Sequence, residues 1–223
     1  MDFRFNVVID YMPLLLQGMK LTIQLTVISV AVGTVIGLVV SLFRLSSFKP
    51  FSIAARIYID FFRGTPLLVQ IFLFHYGLPQ LLGVQAFSSY VSGTLALSLN
   101  SGAYIAEIFR GGIQSIHGGQ MEAARSLGMT YGQAMRHIIL PQAFKRSIPP
   151  LGNEFIAMLK DSSLVSVISL QELMQTGRII VGRTYRPFET FITVALLYLV
   201  MTMTISQFVS HLERVFGKDD HSE

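Results

Sequence analysis

The chain has 223 residues, 52% of them hydrophobic and 13% charged, about half the charged share of an ordinary soluble domain. It therefore reads as one all-α integral membrane domain over residues 1–223, with several spans of about 20 residues and no room for a separate soluble domain. The net charge of +4 comes from basic residues in loops beside apolar segments, which the positive-inside rule explains without nucleic acid, and the lack of cysteine excludes a disulfide framework or a cysteine metal site.

In chain order, the apolar stretch from near Tyr11 is far longer than the core of a cleavable signal peptide. Tyr11 to Leu45 is the first expected span, and Gly33 and Gly37 within it allow another helix to approach closely. Arg44, Lys49 and Arg56 surround Ser46, Ser47 and Pro50 in a short basic loop, expected to be cytoplasmic. The second span is expected to start after Arg63-Gly64-Thr65-Pro66, with Pro66 in a first helical turn, and to end at Pro79. Gln70 and His75 inside it suit hydrogen bonds between helices better than ligand contacts.

Pro79 to Ser89 has no Lys or Arg and is expected outside. The third span, Tyr90 to Phe109, carries Ser92, Ser98, Asn100, Ser101, Tyr104 and Glu107 and must face protein or water. Arg110 to Arg146 holds five basic residues against one acid, Glu122, so the loop of about 111–143 is expected to be cytoplasmic. A fourth span, Phe144 to Leu159, contains Pro149 and Pro150, which predict a kink or local unwinding near its start. Leu164 to Arg186 mixes apolar residues with Gln171, Glu172 and three arginines, and suggests a short interfacial helix on the outer side, although the arginines run against the charge rule there. Pro187 to Leu212 is the fifth span, with Arg214 and Lys218 suiting a cytoplasmic tail. Five spans place the amino terminus outside and the carboxyl terminus inside.

Met121 to Pro141 is the interior run least suited to lipid. Gly128 is positioned to end one helix in a left-handed conformation. Thr130 and Gln133 form a capping box for the next, and Pro141 is expected to stop it. Beside Glu122, the small Ala123 and Ala124 give this elbow a smooth ridge that suits a groove on another protein.

Ionisable groups inside a span cost about 2.5–3.5 kcal/mol to insert and are functional candidates. Glu154 lies ten residues from Phe144, about 15 Å and hence near the bilayer midplane, and Asn100 reaches a similar depth from the other side. Tyr104 and Glu107 share the face of Asn100, as Met158 and Asp161 share that of Glu154. Asn100, Tyr104, Glu154, Met158 and Asp161 are the candidate cavity residues. An anionic Glu154 favours a guanidinium or ammonium group, to which Tyr104 can add a cation–π contact. The other reading of Glu154 is an internal pair with Lys160 or an arginine, or a protonated carboxyl bonded to backbone freed by Pro149 and Pro150. Glu107 with Arg110, and Lys160 with Asp161, read as local charge pairs. No phosphate-binding loop occurs, since Gly217-Lys218 is followed by Asp219, and no metal spacing or serine elbow is found, so the chain is not expected to be an enzyme.

The spaced pattern Glu122-Ala123-Ala124, Gly128, then Ile138-x-Leu140-Pro141 resembles the EAA loop of ABC importer permeases. FRGTPLLVQ from Phe62, NSGAYIAEIFRGGI from Asn100, PPLGNEF from Pro149 and KDSSLVSVI from Lys160 extend the resemblance to the polar amino acid branch (histidine, glutamine and arginine type) over Tyr11 to Leu212. One departure is the lack of a proline near His117, which bears on how the chain approaches the loop. The resemblance implies the type I importer fold in a bacterial cytoplasmic membrane. It also implies a second permease subunit, identical or paralogous, two cytoplasmic ATP-binding subunits that hold the ATP and Mg, and an extracytoplasmic solute-binding protein. It makes Glu122, Ala123, Ala124, Leu127 and Gly128 the coupling helix that seats in the ATP-binding subunit. The expected cargo is arginine, lysine or histidine, with glutamine or another polar amino acid as the alternative. Rival readings are an ion-gradient secondary transporter using Glu154 as proton or sodium site, and a membrane scaffold that transports nothing.

Overall fold

A computed structural model describes residues 6–216, all helix and connection with no strand among them. The main elements are α1 (Met12–Arg44), α2 (Lys49–Gly64), α3 (Leu67–Leu82), α4 (Ser89–Gln114), α5 (Gly118–Ser126), α6 (Tyr131–Ile168), α7 (Leu173–Thr184) and α8 (Pro187–Phe216). By length and composition α1 and α8 are able to cross a membrane alone. Two bent pairs also pass that test together: α2 with α3, at 106°, and α6 with α7, at 49°.

The most extensive pairing is α1 against α4. Glycines make it possible: a Cβ on Gly33 would stand 3.0 Å from the Ser101 side chain, and one on Gly37 would stand 2.7 Å from that of Ile105. Such close approach raises dispersion contact between helices that gain no hydrophobic energy from leaving lipid.

The second span departs from its expected form. Lys49–Gly64 is a helix packed on α1 and α4 rather than part of a loop, and the Tyr58 hydroxyl donates to the Leu99 carbonyl at 2.6 Å. Its sequence reads as loop because basic residues share it with Phe51, Ile53, Ile57 and Phe61, whose side chains are exposed on the bundle's outer face. The corner follows from Pro66, which forces Thr65 into extended backbone (φ −120, ψ 148) and becomes the N-cap of α3 with φ −63.

Three further expectations change. Pro141 does not end a helix. The helix runs on through it inside α6: the turn before widens to a π turn at Met135–Ile139, a change of pitch that accommodates the missing amide of Pro141. The Gln142 side chain meanwhile donates to the Ile138 carbonyl at 2.8 Å. Pro149 and Pro150 lie inside that helix without unwinding it. Last, the helix expected within Leu164–Arg186 is α7, and it does not stand apart from the bundle: Leu173, Thr176, Gly177 and Ile180 are buried as it packs on α1 and α8. Lys218 lies outside the described residues.

Candidate functional site

The α2–α3 corner, α4 and α6 together enclose a cavity of about 360 Å3. Thr65, Pro66 and Leu67 line it from the corner, Asn100 and Tyr104 from α4, and Glu154, Ala157 and Asp161 from α6. Two carboxylates and no cation stand among these residues. A larger crevice of about 560 Å3 between α1, α6 and α8 is lined by groups such as Val30, Phe155 and Phe208 with no charge, and offers nothing to recognise a polar ligand.

The corner is held by a buried amide pair. Gln70, fully buried, donates to the carbonyls of Phe62 at 2.9 Å and Thr65 at 3.0 Å, while its oxygen accepts from the Asn100 side chain at 2.9 Å. Asn100 also donates to the Phe62 carbonyl at 3.3 Å. Its nitrogen is thus spent on shaping the wall, not left to bind a ligand. The expected helix–helix role of Gln70 matches this arrangement, and His75 likewise meets Ser92 at 3.0 Å.

Tyr104 and Arg63 meet face to guanidinium, with the Arg63 carbon 5.3 Å from the ring centroid. Glu107 lies outside the cavity, clasped by Arg110 in two bonds of 2.8 and 2.7 Å, with Arg63 at 3.6 Å. Met158 does not join the cavity. It is buried against Leu25, Ile71, Leu97 and Val165, because at 100° per residue Ala157 and Asp161 fall to one side of Glu154 and Met158 to the other. Among the described residues no ion pair joins Asp161 or Glu154 to Lys160, which borders a different crevice beside Tyr198.

The elbow has the expected internal chemistry. His117 caps α5 by accepting from the Gly119 amide at 3.1 Å. Gly128 adopts φ +84, and the Met129 amide reaches the Ala124 carbonyl at 3.2 Å, the bond that closes such a helix end. Both halves of the Thr130–Gln133 capping box are present. Glu122, Ala123, Leu127 and Gly128 are exposed, Leu127 at 83%. Ala124 instead faces inward, 4% exposed, so the ridge is carried by Ala123 and Leu127.

One buried acid was not singled out by sequence. Glu172 caps α7, accepting from the amides of Met174 at 2.8 Å and Gln175 at 2.7 Å and from the Tyr198 hydroxyl at 3.0 Å. Thr22 donates to it at 3.5 Å and receives the Leu173 amide at 3.1 Å. Thr22 lies in the polar first half of α1, among Gln17, Lys20, Gln24 and Thr26, so nothing in the sequence marks it or Tyr198 as a partner of Glu172.

Residues 9–218 match the family described as binding-protein-dependent transport system inner membrane component. The chain belongs to that family. The permease is 39% identical over 220 residues to the arginine transport system permease ArtQ of Bacillus subtilis (99% of this chain, 100% of the relative). It is 42% identical over 213 residues to the probable glutamine ABC transporter permease GlnM of the same species (96% and 98%), and 36% over 214 residues to the glutamine permease GlnP of Escherichia coli K12 (96% and 98%). It superposes on a chain from the crystal structure of an amino acid ABC transporter with histidines at a TM-score of 0.92, with 47% identity, 96% of this chain and 99% of that one covered. Against the inward-facing MetNI methionine ABC transporter the TM-score is 0.79 at 21% identity, covering 93% and 98%, a likeness of fold alone. The permease has the type I ABC importer fold.

Proposed function

We propose that this permease moves polar amino acids, basic ones by preference, inward across the bacterial cytoplasmic membrane by alternating access. The observation that carries the reading is the pairing of Glu154 and Asp161 in one cavity without a lining cation. Two carboxylates there complement the α-ammonium and the side-chain cation of arginine, lysine or histidine. The names of the relatives, arginine and glutamine permeases, support polar amino acid cargo and leave the choice between those two side chains to the pocket.

Energy enters at the elbow. The exposed Glu122, Ala123, Leu127 and Gly128 would seat in a separate ATP-binding subunit, which holds ATP and Mg, and two permease subunits would close and open as those partners do. A solute-binding protein would deliver cargo from outside. On this reading the chain crosses the membrane five times, α2–α3 and α6–α7 included, with the amino terminus outside.

The test is ATP-driven uptake by the reconstituted complex, challenged with each amino acid in competition. Arginine, lysine and histidine should compete best; competition by glutamine alone would reassign the cargo. Uptake that persists without the ATP-binding subunit would overturn the importer mechanism in favour of ion coupling.

A further inference from the structure

An arginine-like cargo has a third charge, its α-carboxylate, and no cationic side chain lining the cavity answers it; the Leu67 amide at the start of α3 and the Tyr104 hydroxyl are the neutral donors there. Asn100 is spent on Gln70 and Phe62. Thr65 donates its hydroxyl to the Phe61 carbonyl at 2.8 Å, and the remaining charged groups are both acids. A carboxylate brought beside Glu154 and Asp161 without a cation would have only these neutral donors to set against the repulsion of two acids.

Arg63 stands nearest. It precedes the corner by two residues, and its guanidinium lies over the face of Tyr104, a ring that forms part of the cavity wall. Its side chain is 41% exposed. Among the described residues its one ion pair is with Glu107 at 3.6 Å, a group already clasped by Arg110 through two shorter bonds. On its far side Arg63 borders a second cavity lined by Arg44, Arg56 and Arg110 together with the acids Asp60 and Glu107, so three like charges there face two opposite ones. A loosely held, planar donor pair at the edge of an acidic cavity is well matched to a carboxylate.

We infer that Arg63 receives the α-carboxylate of the cargo, so that the pocket selects amino acids over amines of the same side chain. The inference rests on the cargo pocket proposed above. Arg63 on Tyr104 then marks the resting position, and the cargo carboxylate draws the guanidinium inward while the cargo cations take Glu154 and Asp161.

The experiment measures equilibrium binding to the purified full-length permease in lipid nanodiscs. Four ligands are compared: arginine, agmatine (arginine without its carboxylate), glutamine, and 4-aminobutanamide, the corresponding amine of glutamine. Arg63→Gln should weaken arginine or glutamine by about tenfold to a hundredfold and leave the matching amine within about twofold, the range a single hydrogen bond in such a site can mask. Arg63→Lys, which keeps the charge without the fork, should recover part of the preference. If Arg63→Gln fails to fold, a fall of about threefold or more in the Lys variant's preference carries the inference, and an unchanged preference overturns it. Equal loss of acid and amine in a folded Gln variant assigns Arg63 a structural role and also overturns it. Should the unaltered permease bind none of the four, the cargo pocket itself falls; binding with a preference indifferent to Arg63 removes this inference alone.

Discussion

A carboxylate drawn away from bulk water persists only where something compensates the lost hydration, and the permease compensates two acids differently. Glu172 is fully buried and bonded to two amides and the Tyr198 hydroxyl; it fastens α7 to α1 and α8. Glu154 opens on a cavity beside Asp161. Neutralising each should therefore fail in a different way. Glu154→Gln keeps the volume and removes the charge, so arginine uptake should drop about tenfold or more with glutamine uptake changed by less than about threefold; arginine transport at the normal rate would refute the basic-cargo reading. Glu172→Gln places an amide nitrogen among groups that themselves donate. It should cost about 1–3 kcal/mol, seen as a lower melting temperature in detergent, while the arginine-to-glutamine ratio stays as in the parent protein. Sequence picked out Glu154 because depth along one helix is countable, ten residues from Phe144. It passed over Glu172 because two of its four donors, Thr22 and Tyr198, come from elements distant in the chain, while the other two are the nearby amides of Met174 and Gln175.

Short-range rules served best at the scale of the element. The Gly128 break, the Thr130–Gln133 box and the Gly33/Gly37 approach each depend on a few neighbouring residues, and all were readable. Pro141 was misread because a proline that stops a helix and one that a preceding π turn carries within a continuous helix look alike in sequence. Two predictions belong here. Gly37→Val would drive its Cβ into Ile105, 2.7 Å away, and overpacking of that kind costs about 1–3 kcal/mol; the melting temperature should fall, and an unchanged one would mean that α1 and α4 do not meet at this glycine. At Gly128 the φ of +84 with open space around it means that alanine is opposed by backbone conformation alone, by about 1–2 kcal/mol. Gly128→Ala should leave arginine binding intact and reduce uptake per ATP hydrolysed in the full complex. Normal stoichiometry in that variant would remove the elbow from the coupling route.

For the whole molecule, charge along the chain was informative where loops are simple and misleading where one helix serves two environments. Residues 49–64 read as a basic loop, yet Ala55, Ile59 and Phe62 are buried against the bundle while Ile57, at 65% exposure, lies on the outer face. Whether α2 belongs to the membrane decides how the α2–α3 corner reaches the cavity, and the chain is convenient for asking, since it contains no cysteine. Single cysteines at Ser47, Ile57, Gln85 and Ser126 can be probed with a membrane-impermeant maleimide in right-side-out vesicles before and after they are opened. On the proposed topology Gln85→Cys reacts in intact vesicles, because it follows the tip of the α2–α3 pair in a stretch without basic residues. Ser47→Cys and Ser126→Cys react only once the vesicles are open, since both lie among the arginines and lysines that mark the cytoplasmic side. Ile57→Cys should react in neither state, because lipid covers it and the thiolate needed for attack does not form in hydrocarbon. Reaction at Ile57 as fast as at Ser47 would return α2 to the cytoplasm as a surface helix and leave the corner at Thr65–Pro66 as the edge of the membrane, not a wall of the cavity within it.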